Sequence, residues 1–104
     1  MEFSVVLVTA KDQEEAGAIA SSLVRENLAG CVNIVPSIRS IYVWEGKICD
    51  ESESLMIIKA RREKVEEVAA RVKQLHSYTV PEVIALPITE GSADYLKWLE
   101  KVTE

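Results

Sequence analysis

Two β-rich runs meet at Glu45-Gly46 inside residues 30–60, GCVNIVPSIRSIYVWEGKICDESESLMIIKA, and this stretch limits the possible folds of the chain more than any other. Gly46 can take a positive φ without a Cβ clash, and the flanks Ile41-Tyr42-Val43-Trp44 and Lys47-Ile48 are largely β-branched or aromatic, so the stretch reads as one long hairpin. With Trp44 facing Lys47, paired residue numbers sum to about ninety-one: Tyr42 faces Cys49, Asn33 falls near Ile58 and Cys31 near Ala60. Two arms of roughly fourteen residues at ~3.3 Å each make a ribbon ~45 Å long. A domain of this size has a radius of gyration of only about 13 Å. Part of the ribbon must bend, or project and be covered by another surface.

The rest of the chain supplies one core. Its 104 residues are 48% apolar and 28% charged, which fits a single globular domain over 1–104. A net charge of −5 argues against a nucleic-acid partner, which calls for a basic face. No run approaches the roughly eighteen apolar residues that span a membrane, and the start MEFSVVLVTA has no basic n-region, so a soluble, cytoplasmic protein is expected. The hairpin register holds Cys31 and Cys49 some 35 Å apart, against a limit of ~7 Å for a disulfide, so both should be free thiols in a reducing compartment.

Taken in order, residues 3–9 (FSVVLVT) are apolar without strict alternation, as in a strand covered on both faces. Asp12 with Glu15 forms a capping-box pattern ahead of a helix through Ala16, Ile19, Ala20, Leu23, Val24 and Leu28, and Gly30 suits a left-handed C′ or connecting position. Pro36 marks the first ribbon arm as an edge strand or the site of a bulge. In the second arm the middle 50–54 is polar, and only LMII has core character. Val65, Val68, Ala69, Val72, Leu75 and His76 then lie on one helical stripe, with Glu67 and Arg71 as an i,i+4 pair. Residues 80–88, bracketed by Pro81 and Pro87, read as a second edge strand, and Ser92 caps a last helix with Tyr95, Leu96, Leu99 and Val102 on its apolar face. The order βαββαβ plus a C-terminal helix is an α+β, ferredoxin-like sandwich whose first and third strands are central. Two open edges and an apolar ribbon tip predict that subunits pair edge to edge.

Four collinear segments, LVRENLAGCVNIVPSIRSIYVWEGKI, ESLMIIK, LHSYTVPEVIALPI and GSADYLKWL, resemble the CutA divalent-cation-tolerance family over nearly the whole chain. The resemblance implies a homotrimer similar in architecture to the PII signalling proteins, with long hairpins packed between subunits. It also implies a role in tolerance of copper and other divalent metals, without an established enzymatic reaction. The chain departs from the family pattern at His76-Ser77-Tyr78, where the family usually has a proline between histidine and tyrosine. It also has Val8 and Leu75 where some members with a proposed copper site have a cysteine and a second histidine.

Among candidate functional residues, Cys31 and His76 are the soft or borderline donors that would suit copper or another divalent metal. Met56 or Glu53 could add a ligand, and the plain alternative is a buried cysteine and a helix-end histidine on the core stripe. Lys59 ends an apolar strand, and a one-residue bulge at Pro36 would bring it opposite Cys31 and onto the face of Asn33. With Tyr78 and Glu53, these residues could line an inter-subunit pocket for a small anionic metabolite. The alternative is an inter-subunit salt bridge from Lys59 to a carboxylate such as Glu53 or Glu82. Tyr42 and Trp44 at the ribbon tip suit an interface better than a stacked planar ligand. The run from Asp50 to Glu53 lacks the ligand density of a calcium loop. Enzyme chemistry is not expected: a lone histidine has no triad partners in view, and no glycine-rich phosphate loop follows the first strand.

Overall fold

The computed structural model describes residues 1–104 as β1 (Phe3–Ala10), α1 (Gln13–Arg25), β2 (Cys31–Trp44), β3 (Lys47–Arg61), α2 (Val65–Leu75), β4 (Val83–Ile88) and α3 (Ala93–Val102). A 3-10 turn over Arg62–Lys64 leads into α2. The four strands form one antiparallel sheet in the order β2-β3-β1-β4, so the proline-bearing strands are the two edges and the apolar β1 and β3 the centre. Residue alternation sends Val6, Val8, Ala10, Met56, Ile58 and Ala60 to one face. There they are fully buried under Ala16, Ile19 and Leu23 of α1 and Val68 and Val72 of α2.

The hairpin closes at Glu45 (φ 50°) and Gly46 (φ 78°), two successive left-handed residues that match the right-handed twist of the arms. From Trp44↔Lys47 to Ile38↔Glu53 the register is the expected one; between Val35 and Ile38 it slips, with Pro36 and Ser37 standing against Ser54 alone. Buried Ser54 donates to the Pro36 carbonyl at 2.7 Å and so satisfies the backbone at the bulge. Beyond the bulge Cys31 pairs with Lys59 and Asn33 with Ile57, in place of the bulge-free pairing of Cys31 with Ala60. β1 accompanies β3 only as far as Ser54, so residues 38–44 and 47–53 continue as a bare two-stranded ribbon. The folded chain measures 44 × 25 × 22 Å.

Three local expectations change. Asn27 (φ 60°), not Gly30, takes the left-handed conformation after α1. Gly30 is needed for close packing, since a Cβ there would lie 2.5 Å from Leu99 Cδ1 and 2.9 Å from Val102 Cγ2 of α3. Arg71 does not pair with Glu67 but reaches across to α1, where its guanidinium grips Glu26 at 2.9 Å through Nε and again through Nη2. β4 begins at Val83, because residues 77–80 are bends that carry the chain back from α2.

The second sheet face is covered only at one end. There Arg61 donates to Thr103 Oγ1 at 2.9 Å and to the Glu100 carbonyl at 2.7 Å, holding α3 against β3. Further along, Val5, Leu7, Leu55 and Ile57 are only half-buried, and Ile84 and Leu86 stay 53% and 52% exposed.

Candidate functional site

The expected site residues fall into three separate places. At one end of the open face, Lys59 Nζ bonds Asn33 Oδ1, and the Cys31 thiol lies 3.8 Å from the same oxygen. The bulge makes this cluster, because it puts Cys31 directly across from Lys59 and leaves Asn33 on the same face two residues on. Lys59 has no carboxylate within ion-pair distance in its own chain. Tyr95 of α3 stands beside Cys31; burial first, and then Cys31, push its phenol above the ordinary value.

At the other end, His76 caps α2 with its side chain fully enclosed. Nε2 lies 2.7 Å from the Thr9 carbonyl, while Nδ1 accepts the Tyr78 N–H at 3.1 Å. A carbonyl can only accept and a backbone N–H can only donate, so the geometry fixes the neutral ring with its proton on Nε2. Glu15 Oε1 lies 3.7 Å from Nδ1. Glu15 itself accepts the Lys11 N–H at 3.2 Å and the Ser77 N–H at 2.9 Å, so the capping-box carboxylate also ties α1 to the loop after α2. Burial raises the Glu15 pKa, but the hydrogen bonds from Ser77 and Lys11 outweigh it and the net shift is downward.

Within the chain Cys31 and His76 therefore stand apart. The partner of Cys31, Lys59, pairs with Val5, whereas His76 bonds Thr9, four residues or about 13 Å along the same strand. Both ring nitrogens are already engaged, and nowhere do three His, Cys, Asp or Glu side chains gather as metal ligands. Within one chain the residues expected for the inter-subunit pocket stand at two places, since Glu53 lies six residues, about 20 Å, from Lys59 along β3.

The third place lies where the ribbon leaves the sheet. Tyr78 donates to Glu53 Oε2 at 2.8 Å, and Glu53 is only 7% exposed although the sequence reads as a solvated strand break there. Burial, followed by the adjacent Glu53 carboxylate, pushes the Tyr78 phenol far above its ordinary value and keeps it a donor. Thr9, Tyr42, Trp44, Glu53, Tyr78 and Glu82 help to line a hollow of about 650 Å³ between the ribbon and the loop before β4. Tyr42 and Trp44 are 37% and 45% exposed, and the Tyr42 hydroxyl donates to Glu51 at 3.1 Å. Desolvation, then Glu51, pushes the Tyr42 phenol up to about 12. Sequence reasoning missed the hollow because Thr9, Glu53 and the 78–82 loop meet only in the folded chain; polar Glu53 and Ser54 beside an apolar run were the available signal.

A four-stranded ferredoxin-like sheet with an overlong β2–β3 ribbon, one bare face and its polar side chains concentrated where the ribbon begins defines a small α+β subunit of PII-like architecture. The chain matches the CutA1 divalent ion tolerance protein family over residues 4–102. It is similar to the chloroplastic CutA protein of Arabidopsis thaliana, 52% identical over 99 residues that cover 95% of this chain and 54% of that one. It is similar also to the divalent-cation tolerance protein CutA of Thermus thermophilus, 48% identical over 95% of this chain and 96% of that one. The solved structure of CutA1 from Oryza sativa superimposes with a TM-score of 0.97 at 46% identity, covering 100% of this chain and 95% of that one. The chain belongs to the CutA1 divalent ion tolerance family, and it spans about half the length of the Arabidopsis relative. No helix is long and apolar enough to cross a membrane.

Proposed function

We propose that the chain works as a homotrimer in the response to divalent metals, copper foremost, and that it does so by binding rather than by catalysis. One observation carries the assembly: Ile41, Val43, Trp44 and Ile48 on the ribbon are 63%, 69%, 45% and 80% exposed, and Ile84 and Leu86 of β4 are open as well. Apolar area on this scale beside two free sheet edges calls for copies of the same chain, and a closed ring leaves no edge over. Two free cysteines fit a reducing compartment such as the cytoplasm. Light scattering after gel filtration at micromolar concentration tests the assembly. The expected mass is three times 11.6 kDa, and a well-folded single chain overturns the reading.

The copper arm of this reading rests on Cys31, a soft donor whose thiol makes only a long contact of 3.8 Å to the Asn33 amide oxygen, completed by ligands from a neighbouring subunit. Titration with Cu(I) under reducing conditions should give binding that Cys31→Ala abolishes. Unchanged binding in that variant removes copper from the proposal.

A second reading is favoured by Lys59, whose ammonium has an amide oxygen as partner but no carboxylate. A small anion brought between subunits would complete its charge. Thermal shift against phosphate and citrate tests it, since a ligand at a hundred times its dissociation constant adds about 2.7 kcal/mol. Stabilisation that survives Lys59→Met counts against the site.

A further inference from the structure

We propose that Tyr78 and Glu53 form a latch that presets the direction in which the ribbon leaves the sheet, ahead of any contact between copies. What the latch is for rests on the assembly reading above, in which copies meet through the ribbon. The ribbon joins the body at a weak place. β1 ends its pairing at Ser54, and on the other arm Pro36 and Ser37 stand against that same residue, out of register. Pro36 has no N–H to give the ladder, and its carbonyl accepts the Ser54 hydroxyl at 2.7 Å. A two-stranded ribbon with a bulge at its root bends there most readily. Residues 38–44 span roughly 23 Å at ~3.3 Å each, so a swing of about 10° at the root moves the tip by about 4 Å. Interfaces packed as closely as protein interiors do not tolerate such a shift.

Across this joint there is one tie. Ser37 bonds Ser52, Arg39 bonds Asp50 and Tyr42 bonds Glu51, and each of these joins one arm only to the other. The bond from the Tyr78 hydroxyl to Glu53 Oε2 at 2.8 Å is the only side-chain hydrogen bond or ion pair between residues 38–53 and the chain outside the two arms. Glu53 is the first residue past the joint, paired with Ile38, and it is buried, so water competes little for the bond.

The other half of the latch is itself fixed. His76 Nδ1 accepts the Tyr78 N–H at 3.1 Å, the two rings lie 4.6 Å apart, and His76 in turn donates to the Thr9 carbonyl of β1. The neighbouring Ser77 N–H donates to Glu15 of α1 at 2.9 Å. Tyr78 is thereby anchored to β1, α1 and the end of α2, and its phenol carries that position to the ribbon. A surface held in its bound geometry beforehand loses less freedom when its partner arrives.

Refolding from denaturant, followed by tryptophan fluorescence and by light scattering for mass, tests the latch in three variants. Tyr78→Phe removes the donor, Glu53→Leu removes the acceptor, and Glu53→Gln keeps an acceptor oxygen without the charge. The second-order rate constant of assembly should fall about tenfold or more in Tyr78→Phe and Glu53→Leu and stay within about threefold of the parent in Glu53→Gln, with the first-order folding phase of Tyr78→Phe unchanged. Should Glu53→Leu not fold, the other two variants decide. Assembly of Tyr78→Phe at the parent rate overturns the proposal, and so does Glu53→Gln assembling as slowly as Tyr78→Phe. A first-order phase slowed to the same degree also overturns it, since the pair would then support the fold in general. A parent chain that stays single in light scattering removes the assembly reading, and hydrogen exchange over residues 38–53 then decides the latch. Exchange about tenfold faster there in Tyr78→Phe, with β1 and α1 unchanged, upholds it; exchange at the parent rate overturns it.

Discussion

His76 shows how the role of a residue is decided by its partners. Its two ring nitrogens join the end of β1 to the start of the loop after α2, and replacing it leaves both the Thr9 carbonyl and the Tyr78 N–H without their partner. His76→Ala should therefore lower stability by about 2–4 kcal/mol in denaturant titrations, while copper stoichiometry in the folded variant stays that of the parent chain. Gly30 is a second such case. Leu99 is fully buried and cannot swing away from an added methyl, so Gly30→Ala should cost about 1–3 kcal/mol, read as a lower urea midpoint with unchanged slope. Neither outcome was legible from spacing alone. The sequence placed His76 on the core stripe of α2, but its bond to Thr9 depends on a contact 67 residues away. Gly30 next to a helix end looks like a left-handed cap until α3 is seen to lie against it.

At the level of elements, α1 depends on a cap that also works as a tertiary tie. Asp12 accepts the Glu15 N–H at 2.9 Å, and Asp12→Ala should cost about 1 kcal/mol. The Glu15 side chain gives this tie a pH dependence. Its folded pKa lies below the ordinary 4.5, so the stabilisation it provides is fully present above that value and is lost as pH falls through the folded pKa. Melting curves from about pH 6 down to about pH 3 should show a shallower acid decline in Glu15→Gln than in the parent chain. Strand order and edge positions were readable because prolines and apolar runs report directly on hydrogen bonding and burial. Pro36 also announced its bulge, yet a slip of one residue decides which side chains share a face, and only the strand pairing in the folded chain puts Lys59 opposite Cys31. The hollow at the ribbon root stayed hidden for a related reason: Glu53 in a run of acids looks solvated until Tyr78 is brought onto it.

For the whole molecule, the open apolar surface lets the proposed assembly be tested apart from the folding of the sheet core and helices. Ile48 is 80% exposed in the single subunit, so Ile48→Glu should leave the isolated fold within about 0.5 kcal/mol of the parent while shifting sedimentation toward smaller species. Retention of full mass by that variant would place the contact between copies elsewhere. The two-stranded extension beyond Ser54 also bears on how the protein reaches its native form. A hairpin without a third strand is marginal by itself, so residues 38–44 and 47–53 should gain their final order only as copies meet. Refolding followed through Trp44 fluorescence should then show a slow second-order phase whose rate rises with protein concentration, behind a first-order phase from the sheet and helices that does not.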